Sequence, residues 1–238
     1  MVRAAGGQVM ASEYDSYVRA EWEMFVADAA RARESLEAVA GLDARRVLDV
    51  GCGAGQELLP FAARPGALCV GADVTPEAGL AGRELFAARA PVGRVFFVRA
   101  AAESLPFAAD SFDVVICRLA LPYTDNARSL SEMARVLRPG GVLLLKIHHP
   151  RFYVRDLGAA ARRGDVPAAA YNARVLLAGL IYLLTGRQPR TRLPSSETFQ
   201  TTRMLRRELD RRGLEIRREL GDSNPRTPSF LIVKTGSR

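Results

Sequence analysis

A short motif that combines an acid with glycines carries the clearest chemical signal in the chain. Residues 47–55 are Val-Leu-Asp-Val-Gly-Cys-Gly-Ala-Gly, so Asp49 lies in an apolar strand that leads into a glycine-rich turn. A dinucleotide site also places glycines after a strand, but its pyrophosphate needs backbone N–H donors with no negative charge beside them. Such a site would also want a glycine at position 56, where the chain has Gln56. The motif therefore favours a ligand that lacks phosphate and carries positive charge.

S-adenosylmethionine meets both conditions, because it carries an ammonium and a sulfonium group and no phosphate. Four further segments follow in order: 70–73 (Val-Gly-Ala-Asp), 101–107 (Ala-Ala-Glu-Ser-Leu-Pro-Phe), 111–116 (Ser-Phe-Asp-Val-Val-Ile) and 133–141 (Met-Ala-Arg-Val-Leu-Arg-Pro-Gly-Gly). On this ordered set, the chain resembles a class I S-adenosylmethionine-dependent methyltransferase of the small-molecule type, well over residues 10–150 and more loosely from Glu197. The resemblance implies an enzyme that transfers a methyl group and releases S-adenosylhomocysteine.

The apolar runs predict the elements that must position these residues. Runs near 46–50, 68–72, 94–99, 112–117 and 141–147 alternate with helical patterns, which is typical of parallel strands joined by crossover helices. Helices are predicted over 12–40 and from Ala127 to Leu137, the second ended by Pro139-Gly140-Gly141. In the family, the runs over 214–220 and 229–235 would be a sixth strand and an antiparallel seventh at the end of the sheet.

The fold class is then α/β, a Rossmann-like seven-stranded, mostly parallel sheet with an antiparallel last strand and helices on both faces. A chain of 238 residues suits a single domain over 1–238. Its parts would be N-terminal cap helices over 10–45, a cofactor-binding core over 46–150, a helical cap insertion over 151–197, and the end of the core sheet over 198–238.

The cap insertion contains the apolar run 175–184 and a loop with Pro189, Pro194, Ser195 and Ser196. Together with Phe152, Tyr171 and Tyr182, the run favours a pocket for a hydrophobic or aromatic small molecule. A dimer contact and an interfacial lid are the other interpretations of the same run.

Ligands of open parallel sheets bind beyond the carboxyl ends of the strands, so the strand-end residues form the predicted cofactor site. The glycines let the backbone approach the ligand closely, and by resemblance Asp49 supplies negative charge for the ammonium group. The carboxylate of Asp73 can accept hydrogen bonds from both ribose hydroxyls, while Thr75 is better placed to cap the next helix, with Pro76 at its first position. The predicted cofactor residues are Tyr14, Tyr17, Asp49, Gly51, Cys52, Gly53, Gly55, Asp73, Val74, Ala102, Glu103, Arg118 and Leu119.

Some members of this set have a second interpretation. In relatives the positions of Ala102 and Glu103 hold the adenine edge, but Glu103 could also be a solvated loop acid. Tyr14 and Tyr17 could contact the cofactor or only pack within their helix. Arg118 replaces the small polar residue that is frequent there, and a cation beside a sulfonium is unfavourable, so Arg118 should point toward the substrate, the cofactor carboxylate or solvent.

The two histidines of the chain, His148 and His149, follow the fifth strand at the edge where the site is predicted. Methyl transfer from a sulfonium is an in-line displacement that depends mainly on alignment, and a hydroxyl acceptor also benefits from a base. Either histidine could supply that base, and only one should reach the acceptor because successive residues leaving a strand point opposite ways. Both could equally be loop histidines with structural hydrogen bonds.

Composition limits the partners of the protein. The net charge of +8 and the pI near 10.0 would suit nucleic acid or an anionic membrane. However, Lys146 and Lys234 are the only lysines among the 34 basic residues, so the charge could also reflect a codon bias toward arginine. Acids interrupt the arginine pairs over 206–218, which favours a solvated surface with ion pairs over an RNA-binding surface.

The leading hypothesis is a methyltransferase for a small, hydrophobic or aromatic acceptor, with O-methylation favoured and N- or C-methylation open. The alternatives are an RNA methyltransferase or RNA-binding protein of the same fold, and a non-catalytic protein that keeps the fold. No metal site is predicted, because Asp125-Asn126 more simply begins a helix. The cysteines, at positions 52, 69 and 117, are predicted to be reduced core thiols. Since no secretion signal or apolar run long enough to span a bilayer is found, the protein is predicted to be cytoplasmic, with a homodimer left open.

Overall fold

The computed structural model describes residues 7–89, 94–189 and 197–235, and its centre is one seven-stranded sheet in the order β3-β2-β1-β4-β5-β7-β6. The predicted loop residues Pro194, Ser195 and Ser196 lie outside the described residues. The strands are β1 (Arg46–Val50), β2 (Leu68–Asp73), β3 (Arg94–Arg99), β4 (Phe112–Arg118), β5 (Leu137–Lys146), β6 (Leu214–Glu219) and β7 (Ser229–Lys234).

The first five strands are parallel and β7 is antiparallel to both of its neighbours, so the predicted fold class is confirmed. The predicted position of β7 is wrong in one respect, because β7 lies between β5 and β6 and the edge strand is β6. The sequences of β6 and β7 explain why β6 and not β7 lies at the edge. β7 is largely apolar and its first four residues are buried, whereas β6 carries charged residues that remain exposed.

Helices cover both faces of the sheet, and the strand residues alternate between them. One face packs Val47, Val114 and Ile116 against the first and fourth helices, through Trp22 and Phe86 among others. The opposite face packs residues such as Leu48 and Val115 against the fifth and eighth helices. The helices are α1 (Gly7–Ala27), α2 (Ala29–Ala38), α3 (Leu59–Ala62), α4 (Pro76–Ala87), α5 (Asn126–Val136), α6 (Pro150–Arg163), α7 (Val166–Thr185) and α8 (Thr202–Asp210).

The junction between α5 and β5 differs from the prediction. The helix ends at Val136, and the strand begins at once with Leu137, so Pro139 and the two glycines lie inside β5 and do not form a separate loop. The pairing of β4 with β5 shifts register between Phe112 and Val114, which marks a bulge. Proline is tolerated at such a position because a bulge leaves a residue unpaired.

Helices α6 and α7 fill the predicted insertion after β5 and pack against each other. Buried Tyr153 of α6 and buried Val175 and Tyr182 of α7 form a small apolar cluster with Phe199 and Met204. This cluster is separate from the two clusters that flank the sheet.

Helix α7 has 20 residues, twice the length of the apolar run seen in the sequence, and within the described ranges it is the one helix long and apolar enough to cross a membrane. The topology argues against a crossing. Strand β5 precedes α7 and β7 follows it, yet the two strands are hydrogen-bonded neighbours. One membrane crossing would place them on opposite sides of the bilayer.

Candidate active site

The carboxyl ends of β1 and β2 meet at the glycine turn, as the motif predicts. Gly51, Gly53 and Gly55 have φ angles of 70°, 53° and 79°, in the left-handed region that favours glycine. The N–H of Gly51 donates to the carbonyl of Ala72 over 2.7 Å. A Cβ on Gly51 would lie 2.2 Å from the Cβ of Ala120, so the turn also needs the small residue for close approach.

Asp49 is buried beneath this turn, with 2% of its surface exposed, and its Oδ2 has no hydrogen-bond partner in the described structure. Burial, and then the negative charge of Glu57, raise the pKa of the Asp49 carboxyl well above its usual value. A buried carboxylate without a partner is costly unless a cation or a donor is supplied. The site therefore fits a cationic group such as the ammonium of S-adenosylmethionine.

Asp73 ends β2 and is tied to the same turn. Its Oδ2 accepts the N–H of Gly53 at 3.1 Å, and its Oδ1 accepts the N–H of Thr75 at 2.9 Å and the Thr75 hydroxyl. Thr75 and Pro76 begin α4 as predicted, but the Thr75 side chain makes no capping bond. These bonds fix the Asp73 carboxylate, and Oδ2, which accepts only one of them, keeps lone-pair capacity for a ribose hydroxyl.

Tyr14 of α1 lies beside Asp73. The pKa of Tyr14 is raised, first by burial and then by the charge of Asp73, and Tyr14 is hydrogen-bonded to Thr75. The Tyr14 and Tyr17 rings are 6.2 Å apart, and Tyr17 is 59% exposed. The structure thus brings Tyr14 to the strand ends, while Val74 is 62% exposed and only its carbonyl is engaged, by Arg99 Nε.

Arg118 does not point to solvent, one of the three directions that the sequence left open. Its side chain is 3% exposed and forms ion pairs with Glu57 Oε2 at 3.2 Å and Asp222 Oδ2 at 2.5 Å. The directions toward the substrate and toward the cofactor carboxylate stay predictions. The charge of Arg118 opposes the rise in the pKa of Asp49 that burial and Glu57 cause, so the two residues are electrically coupled.

The acids that hold Arg118 belong to a larger buried network, which the sequence analysis missed. Arg31 of α2 pairs with Glu57, and Lys146 Nζ lies 2.8 Å from Asp222 Oδ2. One signal was available, since Glu57 begins an otherwise apolar segment that continues Leu-Leu-Pro-Phe. Several atoms of the network, among them Arg118 Nη2 and Asp222 Oδ1, are buried without a hydrogen-bond partner in the described residues.

The remaining predicted cofactor residues lie around the ends of β1, β3 and β4. Glu103 is half-buried, and its Oε1 accepts the N–H of Asp125, the N-cap of α5, at 2.8 Å. Ala102 lies inside the small bridge formed by residues 101 and 104. Leu119 has a φ of 63°, a left-handed backbone that is strained for a leucine, directly after β4. Cys52 is buried within the turn, and burial raises the pKa of its thiol.

His148 lies in a buried hydrogen-bonded chain. Its Nδ1 is 3.0 Å from the Tyr153 hydroxyl, which donates to Glu197 Oε1 at 2.8 Å. Because the Tyr153 proton goes to Glu197, its oxygen accepts from Nδ1–H, and the neutral imidazole then carries its lone pair on Nε2. Burial lowers the pKa of His148 to about 4 and raises the pKa of Glu197 to about 7. Neither Tyr153 nor Glu197 was found from the sequence.

His149 has a different position. It is the N-cap residue of α6, where its Nδ1 accepts the N–H of Arg151 at 3.4 Å, and its own N–H donates to the carbonyl of Arg226. His149 therefore makes the structural hydrogen bonds that the sequence analysis left open as a role for both histidines. The two histidine side chains lie in different surroundings, as is expected for successive residues that leave a strand.

Aromatic rings surround His148 on the side of the cofactor crevice. The imidazole is stacked on Phe152 at 4.2 Å and lies 6.1 Å from the ring of Tyr123. Tyr123 is in turn close enough to Tyr17 for their charges to interact. A path of aromatic side chains thus runs from the Asp73 carboxylate to His148. Across the described ranges, no group of three or more His, Cys, Asp or Glu side chains could hold a metal ion.

Comparison with known proteins bears on this site. Residues 48–145 match the family model described as Methyltransferase domain. An uncharacterized methyltransferase of Bacillus subtilis, YcgJ, is 41% identical over 105 residues, which are 44% of this chain and 41% of that protein. The ubiquinone/menaquinone biosynthesis C-methyltransferase UbiE of Geotalea daltonii is 39% identical over 111 residues, 45% of this chain and 47% of that protein. The alignments thus span about half the length of these curated relatives.

Solved structures support the fold over more of the chain. The crystal structure of Bacillus subtilis YcgJ has a TM-score of 0.59 at 20% identity, covering 88% of this chain and all of the other. The [4+2]-cyclase SpnF has a TM-score of 0.56 at 22% identity, covering 79% of this chain and 57% of the other. At such identities the likeness concerns the fold alone. From the family match, the sheet order and the residues at the strand ends, the chain contains a class I S-adenosylmethionine-dependent methyltransferase domain, and S-adenosylmethionine is its cofactor.

Proposed function

We propose that the protein methylates a small, hydrophobic or aromatic acceptor, at an oxygen in preference to nitrogen or carbon. One observation carries the proposal: the buried chain from His148 through Tyr153 to Glu197 ends beside the aromatic path that leads to the cofactor crevice. A hydroxyl acceptor is the class that gains most from such a base, because its proton must leave as the new bond to carbon forms.

The cofactor would be held by residues of both charges. The unpartnered Oδ2 of Asp49 suits the ammonium group, and Asp73 suits the ribose hydroxyls. Arg118 Nη2, buried without a hydrogen-bond partner in the described part of the chain, suits the cofactor carboxylate. Bound there, S-adenosylmethionine supplies a methyl group on a positively charged sulfur that leaves with the bonding electrons.

The acceptor pocket would lie between this crevice and the α6–α7 insertion, which we assign as the substrate cap. Tyr17, Tyr123 and Phe152 give it aromatic walls, and the packed cluster under α7 makes it rigid on the far side. Apolar walls with a few placed polar groups are typical of small-molecule sites. They also exclude water, which keeps the acceptor hydroxyl in contact with the base.

His148 would act as the base through Nε2. The acceptor proton moves to Nε2, the positive charge that forms is stabilised through Nδ1–H and the Tyr153 hydroxyl, and the Glu197 carboxylate lies at the end of the chain. The low pKa of His148 keeps the imidazole neutral at pH 7, as a base must be. Tyr153 and Glu197 are positioning residues in this scheme, since neither contacts the acceptor.

The ion pairs on the surface favour a small acceptor over RNA. Arg211 and Arg212 both pair with Glu208, and Arg217 pairs with Glu215, so three of the arginines that suggested RNA are engaged by two neighbouring acids. The three cysteines are buried and free, which suits a reducing compartment and supports the cytoplasm as the place of the reaction.

Transfer of a labelled methyl group from S-adenosylmethionine to a panel of phenols, matched anilines and matched arenes tests the proposal. We expect transfer to a phenol, and none to RNA. Transfer to anilines or ring carbons alone would contradict the assignment of oxygen. Tight binding of S-adenosylhomocysteine without transfer to any acceptor would contradict the activity itself.

A further inference from the structure

Helix α7 has an apolar outer face that nothing in the described structure covers. Leu184 is 77% exposed, Val166 73% and Leu177 60%, and Leu180 and Ile181 are exposed beside them. These residues recur every three to four positions, so they form one stripe along the helix, and the exposed Ala170 and Ala173 continue it. We call the seven residues the α7 stripe. From Val166 to Leu184 the stripe is about 27 Å long.

The stripe differs from an ordinary surface because the inner face of the same helix is also apolar. Val175 and Tyr182 are buried against α6 and Phe199, so the inner face already supplies the packing that holds α7 in place. Single exposed apolar residues need no explanation, but a continuous apolar face of this length marks a surface that binds something.

Arginines lie at both ends of the α7 stripe. Exposed Arg162 and Arg163 end α6, just before Val166. At the other end, exposed Arg187 follows Leu184 after two residues, and Arg207 of α8 is so close that a Cβ on Gly186 would lie 2.6 Å from its Nη2. Asp165 lies next to Val166, and its carboxylate accepts the N–H of Ala168 as the cap of α7. Both ends of the stripe are therefore cationic.

We propose that the α7 stripe docks on an anionic phospholipid membrane surface, with α7 lying in the plane of the interface. The apolar residues would enter the boundary between headgroups and acyl chains, and the terminal arginines would reach the anionic headgroups, as is typical of interfacial helices. The topology agrees, because β5 and β7 must stay on one side of the bilayer.

Charge also distinguishes this occupant from a second copy of the chain. In a twofold dimer formed through the stripe, both ends of each helix would face cationic ends of the other, whether the helices run parallel or antiparallel. An anionic surface instead attracts both ends. Since α7 also forms the far side of the proposed acceptor pocket, a docked helix would place that pocket next to the lipid phase.

Vesicle sedimentation of the full chain tests the proposal without any enzyme assay. We expect binding to vesicles of equal parts phosphatidylglycerol and phosphatidylcholine, much weaker binding to phosphatidylcholine alone, and a decrease with added salt. The double variant Leu177→Ser with Leu184→Ser should lower the partition at least about tenfold. Leu80→Ser on α4 is the matched control, because Leu80 is 60% exposed like Leu177.

A charge variant supplies an independent readout. Arg163→Gln should lower the partition about fivefold, whereas Arg83→Gln, an exposed arginine on α4, should leave it unchanged. Equal binding to neutral vesicles, or no binding to either kind, would overturn the proposal. So would a dimer in sedimentation equilibrium that the leucine double variant dissociates, since the stripe would then bind a second copy. If the double variant unfolds at a lower temperature than the wild type, the single variant Leu184→Ser replaces it in the vesicle experiment.

Discussion

The hydroxyl of Tyr153 donates to Oε1 of Glu197 over 2.8 Å, and this bond joins the first helix of the insertion to a residue 44 positions further along the chain. Both side chains are buried, and the same hydroxyl accepts from His148. The bond therefore connects a titratable acid to the imidazole that follows β5, and it gives the proposed reaction a set of separable tests.

Replacement of His148 separates the two histidines. His148→Gln should lower kcat at saturating cofactor by about a hundredfold or more, because the acceptor proton loses its base. His149→Gln is the matched control and should leave kcat near the wild-type value, since His149 only caps α6. Steady-state rates for both variants decide the matter. An unchanged kcat in His148→Gln would remove histidine from the mechanism.

The pH profile of turnover should report Glu197. The wild-type rate is expected to rise as pH increases through about 7, because the ionised carboxylate of Glu197 stabilises the imidazolium that forms. Glu197→Gln keeps the acceptor for the Tyr153 hydroxyl but cannot ionise, so its rate should be lower and lack this step. A purely structural Glu197 would leave the shape of the profile the same in both proteins.

The stability of the folded protein should also depend on the ionisation of Glu197, but stability should fall over the pH range in which the rate rises. The pKa of Glu197 is raised from 4.5 to about 7, so the folded state keeps a proton that the unfolded state loses. The stabilisation that this retained proton gives to the folded state is complete below pH 4.5 and is lost as pH rises through about 7. Relative to wild type, Glu197→Gln should therefore gain up to about 3 kcal/mol between about pH 4 and pH 8. Urea unfolding of both proteins across this range measures the difference, and a constant difference would contradict the shift.

Asp49 should lower the stability of the protein without cofactor while it strengthens the binding of the cofactor. Asp49→Asn removes a buried charge that lacks a partner, so the protein without cofactor should unfold at a higher urea concentration, by about 1–3 kcal/mol. The same change should weaken the binding of S-adenosylmethionine at least about tenfold, since the ammonium group of the cofactor loses its counter-charge. Calorimetry and unfolding, with exposed Asp43→Asn as control, measure both effects. Tighter cofactor binding by the variant would refute the assigned role.

The buried ion pairs of Arg118 predict a large loss of stability. Arg118→Leu removes the buried cation that Glu57 and Asp222 share and leaves Arg31 and Lys146 as their remaining partners, which should cost about 3 kcal/mol. Arg217→Leu, which breaks a half-exposed pair with Glu215, should cost less than about 1 kcal/mol. Chemical unfolding compares the two. Equal losses would mean that burial of the Arg118 pairs does not matter.

The parts of the fold that sequence could predict are those set by local pattern. The parallel strands follow apolar runs bounded by turns, and the glycine turn after β1 follows from residues that need positive φ. The prediction was wrong at the start of β5, because a bulge accommodates Pro139 where the sequence suggests only a break.

The parts that sequence could not predict depend on contacts between distant segments. Glu57, Arg118 and Asp222 come from three separate segments, and no local spacing indicates that they share a buried network. The same holds for Tyr153 and Glu197. Each is an ordinary residue in its own segment, and only the packing of the insertion on the sheet brings them together.

The insertion of β7 between β5 and β6 has a consequence for synthesis of the protein. Asp222 lies on the connection between β6 and β7, and it neutralises an arginine that leaves the ribosome about a hundred residues earlier. During translation, Arg31 and Arg118 would share the single carboxylate of Glu57 until that connection emerges. Ribosome-bound intermediates that already contain the glycine turn should thus stay open until the final hairpin threads into place.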